Sequence, residues 1–478
     1  MNEEKPKTKS GWRWLRRILI ALAVLATLIA IFYTEEDWRG KRAWENCKRE
    51  LEAKGEVLDW NKFIPPPVLD ESNFFAAPKM QEWFVGRGGT ELSRRLQNDK
   101  TTPVVGEDSK IKTEIDAKNY LAWSDQFEPD FELIREALKR PYARMDGDYS
   151  QPYEMPIPNF ITVRALAQTL AQRAHCYLLL NQPDKALDEL TLLNDSRRLL
   201  FGAPTGKPMT LVAAMINVAV TGLYVDTIAN GFQKQAWQEP QVIALQEQLK
   251  SVSLPPFVCE AFRAEQVSLS HTAEIVEFSK IAMPEGLFSS PPKTFWLKMK
   301  SNLKSYGYNL LPRGWVYQNM AMYASLIQLP IDSFEPKDEV VSPKKIEDAM
   351  SILTTSLDHY SPFKMLAALG IPNFTKAMQT TAHHQTLVNE AQIACALERY
   401  QLANGNYPET LDALAPQFIA QIPHDIISGQ PLHYRRTSDG KFLLYSVGWN
   451  ETDDGGADLS QTKSGSIDYT KGDWVWKN

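Results

Sequence analysis

The sequence predicts a mainly α protein: an N-terminal transmembrane helix, a helical body, and a small C-terminal α+β module with a short antiparallel sheet. Three observations carry this. Ile18–Tyr33 reads ILIALAVLATLIAIFY, without a charge. Between about 111 and 370, apolar residues recur at spacings of three and four, the period of a helix with one buried face. After Asn404-Gly405 the pattern turns to short runs punctuated by Pro, Gly and Asn, which mark turns and strands. At 478 residues the chain exceeds a single small core, and 44% hydrophobic with 23% charged residues argues against wholesale disorder.

The apolar run defines an anchor over residues 12–34. At about 1.5 Å per residue, Ile18–Tyr33 covers ~24 Å of a ~30 Å hydrocarbon core. Trp12, Trp14 and Trp38 suit the two interfaces, and Arg13, Arg16 and Arg17 can snorkel to headgroups. The N-terminal flank is basic, and the far side opens with Glu35, Glu36 and Asp37. The positive-inside rule then makes residues 1–11 a cytoplasmic tail and places the body on the extracytoplasmic side. The rival reading is a cleaved signal peptide. Phe32-Tyr33-Thr34-Glu35 lacks the small-x-small pattern that cleavage needs.

The net charge of −6 conceals an asymmetry. Residues 1–33 hold six of the 52 basic and two of the 58 acidic residues, leaving 46 against 56 in the remainder. An acidic body lacks the basic face that nucleic acid requires. The expected partners are the membrane, through residues 12–34, and other proteins. Cys47, Cys176, Cys259 and Cys395 are far apart and form no CxxC pair. They read as buried free thiols, with one disulfide left open by an extracytoplasmic setting.

Residues 35–110 read as a stalk helix and linker. Trp44, Cys47 and Leu51 share one face, Gly55 is placed to end the helix, and Ile64-Pro65-Pro66-Pro67 breaks it. Gly86-Arg87-Gly88-Gly89 lacks the spacing of a phosphate cradle and reads as a turn. The helical body, 111–370, contains helices at 130–139, 159–180, 183–193, 208–231, 240–251, 257–281, 315–327 and 343–357. An aromatic-rich connection with Pro291-Pro292 and Trp296 follows Pro284. The segment Ile157-Pro158-Asn159-Phe160 recurs as Ile371-Pro372-Asn373-Phe374, each copy placing Asn as the N-cap of an Ala-rich helix.

Within 159–193, Leu170, Ala174, Tyr177, Ala186 and Leu190 fall at interlocking positions of two helices. This hairpin resembles a tetratricopeptide unit, which implies a docking scaffold. Arg173 stands where that family has an apolar residue, and no repeat of about 34 residues follows.

Candidates for chemistry are sparse. Glu260, Glu265, His271 and Glu274 lie on one helix and could form an acid/base cluster. The competing reading is a polar face with ion pairs. His383-His384 are adjacent and point to different sides of a helix. There is no HExxH, GxSxG or Walker loop.

The module 371–478 is the most specific part. A long helix from about Asn373 to Ala403 leads to Asn404-Gly405, Tyr407-Pro408, Leu411 and Leu414. Then come Pro423, Asp425, Gly429, Tyr434, a strand at 441–448 with Ser446 and Gly448, and the loop Asn450–Asp458 with Gly455-Gly456. In order and spacing this resembles the globular part of the major pseudopilin of type II secretion systems. Residues 35–370 separate it from the anchor, and Ile426 replaces the family's proline, so it reads as a reused domain. The resemblance implies calcium in the acidic loop, with Asp454 and Asp458 as ligands and Asn450 and Asp453 as helpers. Calcium favours six to eight hard oxygens, which suits this composition.

The expected function is a membrane-anchored, non-enzymatic scaffold of the bacterial envelope. An envelope hydrolase using Glu260, Glu265, His271 or Glu274, and a secretion-apparatus component, are the alternatives.

Overall fold

The computed structural model describes residues 10–86, 88–97, 111–152, 154–275, 312–357, 361, 363–364, 367–368, 371, 373–458 and 467–477. The connection expected around Pro291-Pro292 and Trp296 lies outside them. The fold is mainly α, with two small antiparallel sheets towards the C-terminus. Two compact units emerge: Met1–Leu58 with Leu269–Leu326 and Ser356–Ile371, and Asp59–Ser268 with Ile327–Thr355 and Pro372–Asn478. The division differs from the linear order of anchor, stalk, body and module, because packing joins segments distant in sequence.

In the smaller unit the apolar run and the charged segment after it form one unbroken helix, α1 (Ser10–Ala53), long and apolar enough at its start to cross a membrane. Its first half leaves Leu19, Ile20, Leu25, Leu28 and Ile31 exposed, whereas Trp44, Cys47 and Leu51 are buried. These three pack on Val316, Met320 and Ala324. Gly40 and Gly314 allow the close approach: a Cβ on Gly314 would stand 1.9 Å from the Glu36 carbonyl oxygen. Asp37 accepts the Gly314 N–H at 2.7 Å, and Glu36 accepts the Trp315 indole N–H at 3.0 Å. The acids that follow the apolar run are therefore also structural. Gly55 ends the turn after α1 with φ +91°.

In the larger unit, residues 80–97 hold α2 (Met80–Phe84) and α3 (Glu91–Gln97), where the sequence pattern suggested only a linker. Both helices are too short for apolar periodicity to register. Then come α4 (Glu114–Ser124), α5 (Glu128–Leu138), α6 (Phe160–Leu179), α7 (Pro183–Ser196), α8 (Leu211–Gln233) and α9 (Glu239–Lys250). Helix α10 covers Leu254–Ile275, with Pro255 and Pro256 in its first turn, where a missing N–H costs nothing. Further on, α11 is Arg313–Asp332, which belongs to the smaller unit up to Leu326, α12 is Pro343–Leu357 and α13 is Phe374–Asn404.

The α6–α7 hairpin is the centre of this unit: Leu170, Ala174, Ala186 and Leu190 are fully buried. Helix α8 packs on α6, and α13 packs on α8 and α9. Gly222 admits α13, since a Cβ there would lie 2.4 Å from His384 Nε2. Both Asn residues of the repeated segment cap as expected, Asn159 accepting the Thr162 N–H and Asn373 the Lys376 N–H, each at 3.0 Å. Asn159 also donates to the carbonyls of Gly86 and Gly88, which holds both glycines against the start of α6.

Strands β1 (Phe334–Glu335) and β2 (Val340–Val341) form a hairpin. The C-terminal sheet has the order β3 (His433–Arg436), β4 (Phe442–Ser446), β5 (Trp474–Val475), all antiparallel, with Tyr434 opposite Leu444 and Ser446 opposite Trp474. All four cysteines are buried as thiols, outside any disulfide.

Candidate functional site

The first candidate is a groove of about 790 Å³ in the larger unit, lined from α5, α6 and α7 and the turn before α5. Its keystone is Arg173, only 1% exposed. Nε donates to Glu189 Oε1 at 2.7 Å. Nη1 donates to Ser124 Oγ and Asp125 Oδ1, and Nη2 to Glu128 Oε2 and the Tyr177 hydroxyl. A guanidinium has five N–H donors in a fixed fork, and here each has an acceptor. The ring of Phe131 lies 5.5 Å beneath its charge. The Arg that breaks the tetratricopeptide pattern thus ties α6 to α7 and to the start of α5.

Glu189, at 3% exposure, gives one oxygen to Arg173 while its second, Oε2, is buried without a hydrogen-bond partner. Burial pushes its carboxyl up to about 7, against the pull of Arg173. Burial also raises Asp188 and Asp195, which line the same groove.

The second candidate is the C-terminal module. Asp425, 1% exposed, accepts from Ile427 N–H, Ser428 Oγ–H, Ser446 Oγ–H and Val447 N–H. It joins the 425–429 turn to the end of β4, so Asp425 and Ser446, two of the positions behind the pseudopilin resemblance, meet in one hydrogen-bonded knot. Beside it lies Glu390 of α13, fully buried, with neither carboxyl oxygen in a full hydrogen bond. Burial first, and Asp425 next, hold its carboxyl well above the usual range.

The acidic loop is closed by a residue outside the expected set. Asp473, buried, accepts Asp454 N–H at 3.2 Å and Gly456 N–H at 2.7 Å. Asp454 takes the Asn450 amide at 3.0 Å. Asp453 accepts Gly455 N–H and the Tyr445 hydroxyl, which hold its carboxyl below the usual range. Among the described residues no three His, Cys, Asp or Glu side chains stand in a metal-binding group.

The four acid/base candidates fall in both units. In the larger, Glu260 pairs with Lys207 at 2.7 Å and Arg263 at 2.9 Å, and Glu265 accepts the Leu211 N–H at 2.9 Å, capping α8. In the smaller, Glu274 accepts the Trp44 indole N–H at 2.8 Å and lies 3.8 Å from Lys48; His271 is half-buried. Glu260, Glu265 and Glu274 thus each do structural work where they stand. The sequence reading passed over Glu189, Glu390 and Asp473. For the first two a signal existed: each is an acid on the inner face of its helix, Glu189 between Ala186 and Leu190, Glu390 beside Ala391.

Comparison with protein-family models, curated proteins and solved structures gives no match. The functional reading therefore rests on this chain's own residues.

Proposed function

We propose that this is a single-pass, membrane-anchored envelope protein acting as a non-enzymatic interaction scaffold. The observation that carries the reading is α1: an apolar half with exposed side chains continuing, without a break, into a half whose inner face is buried. Exposed apolar surface of that size calls for a lipid cover. The junction favours an anchor over a cleaved signal, since Phe32 packs edge-on against Trp315 and Glu36 bonds it. The second apolar helix of sufficient length, Leu211–Gln233, is largely buried and belongs to the core of the larger unit. The α6–α7 hairpin supports the scaffold component, as a packed helical pair with a groove alongside.

The chain is expected in the membrane pellet, resistant to alkaline carbonate, with its N-terminus intact and its body digested by protease added to spheroplasts but protected in inverted inner-membrane vesicles. A carbonate-soluble protein, or a mature chain starting after Thr34, would overturn the anchor. Envelope cross-linking that yields no partner would overturn the scaffold.

Calcium is the ion proposed for the acidic loop, resting on the resemblance of the module. Hard oxygens of Asp454, Asp458 and Asn450 would hold it, and Gly455 and Gly456, both at positive φ, permit tight wrapping. Asp453 is already engaged by Tyr445 and Gly455. A site binding only the native state raises the melting midpoint by ligand linkage, about 2.7 kcal/mol at a hundredfold excess over Kd. Full-length protein is expected to melt higher in calcium than in chelator, and Asp454→Asn with Asp458→Asn to lose the difference. Equal midpoints would remove the ion and leave Asp473 as the clasp of the loop.

A further inference from the structure

We propose that the groove between α5, α6 and α7 binds a primary alkylammonium group, its charge received by Glu189 Oε2. The inference rests on the groove alone and not on the membrane reading.

Six carboxylates and four cationic side chains line this groove. The cations are largely committed. Arg173 has no N–H left to give, and Arg135 bridges Glu128 and Glu132 at 2.8 and 2.6 Å. Lys139 pairs with Glu136, and Lys185 stands 5.4 Å from the Tyr177 ring. What remains is acidic. Asp188 and Asp195 enter none of these ion pairs, and Glu189 Oε2 is buried with no donor. A buried carboxylate oxygen without a partner is costly, and the spent guanidinium beside it cannot supply one. Either a proton on the carboxyl or a donor entering from the groove would satisfy it.

The chemistry of that donor is constrained. Only one Glu189 oxygen lacks a partner, because Oε1 is held by Arg173 at 2.7 Å. A guanidinium gains most from a bidentate carboxylate, whereas an ammonium is a point charge suited to a single oxygen. A divalent metal needs several converging oxygens, and the described residues offer no such group. The volume, about 790 Å³, is on the scale of organic ligands rather than bare ions. Tyr177, Leu138 and Leu192 supply apolar wall, and the Lys185 ammonium near the Tyr177 ring is an alkylammonium already accommodated there.

Protons compete for the same oxygen. Asp125, Glu128 and Arg135 face Glu189 from the α5 side, Arg173 and Tyr177 from α6, and Asp188 from its own helix. With the Glu189 carboxyl raised to about 7 by burial, a proton fills the open valence at lower pH. Affinity for the cation therefore rises as pH increases through that value.

The test is calorimetric titration of full-length protein in detergent, at pH 6 and pH 8, with putrescine and with Nα-acetyl-lysine amide as probes. Saturable one-site binding at pH 8, several-fold weaker at pH 6, is expected. Glu189→Gln should lose at least tenfold in affinity and the pH dependence. The exposed Asp188→Asn, which leaves the Arg173 knot intact, should weaken binding several-fold. Putrescine alone binding would identify a free amine as the ligand, and the lysine amide alone a lysine side chain; binding of both would establish the shared chemistry. Lack of saturation by either probe at pH 8, or wild-type binding by Glu189→Gln, would overturn the proposal.

Discussion

Replacing Arg173 by leucine is expected to destabilise the protein by about 3–5 kcal/mol, the scale of breaking a buried ion pair from one side. Its three carboxylate partners differ in what they then suffer. Asp125 and Glu128 have side chains 60% and 40% exposed and can turn to water. Glu189, at 4%, cannot. The cost should thus be concentrated on one residue, and the double variant Arg173→Leu with Glu189→Leu should recover most of it. The deficit of the single variant should shrink as pH falls, because the stranded Glu189 can take up a proton. Arg173→Lys should fall between, since an ammonium has three donors and cannot span five acceptors. Denaturant unfolding followed by far-ultraviolet circular dichroism measures all four proteins. A single leucine variant within about 1 kcal/mol of wild type, below the range for a broken buried pair, would mean that Arg173 is not the keystone of the hairpin.

The second large effect runs in the opposite direction. Glu390→Gln is expected to raise stability at pH 8, by about 1.4 kcal/mol for each pH unit over which the folded wild type holds a proton that the unfolded chain has released. The Glu390 carboxyl sits next to Asp425 with no full hydrogen bond of its own. Its folded-state pKa is raised well above the unfolded value. The folded state then holds a proton that the unfolded chain releases, so stability is fully present below the unfolded pKa of about 4.3 and is lost as pH rises through the folded one. Glu189 contributes a slope of the same sign, so the diagnostic quantity is the difference between wild type and variant. Thermal melts from pH 5 to pH 8 should show Glu390→Gln losing part of the decline. Parallel curves would show that Glu390 is not neutral in the fold.

Much of the architecture was legible before any coordinates. The charge-free run fixed the exposed half of α1, and the spacing of Leu170, Ala174, Ala186 and Leu190 fixed the interlocked hairpin. The two Asn caps were readable because capping is local: a side chain reaches an N–H three residues along. The site was less legible. Arg173 was visible as a departure from an apolar pattern, but its acceptors lie as far back as Ser124. Glu260, Glu265 and Glu274 have a plausible spacing for chemistry, yet are engaged by Lys207, by the α8 N-terminus and by Trp44. Asp473 lies beyond the acidic loop it closes, and no spacing rule connects the two.

The sequence by itself determined the mainly helical class, the long apolar N-terminal run, the two Asn-capped helix starts and the acidic charge balance of the rest of the chain. Each depends on properties summed over neighbouring residues: periodicity, run length, charge. Tertiary structure alone decided which acids are buried without full partners, Glu189 in the groove and Glu390 beside Asp425. The reason is that burial and ion pairing depend on which distant segments pack together, and a carboxylate has the same letter in the sequence whether water or a protein interior surrounds it.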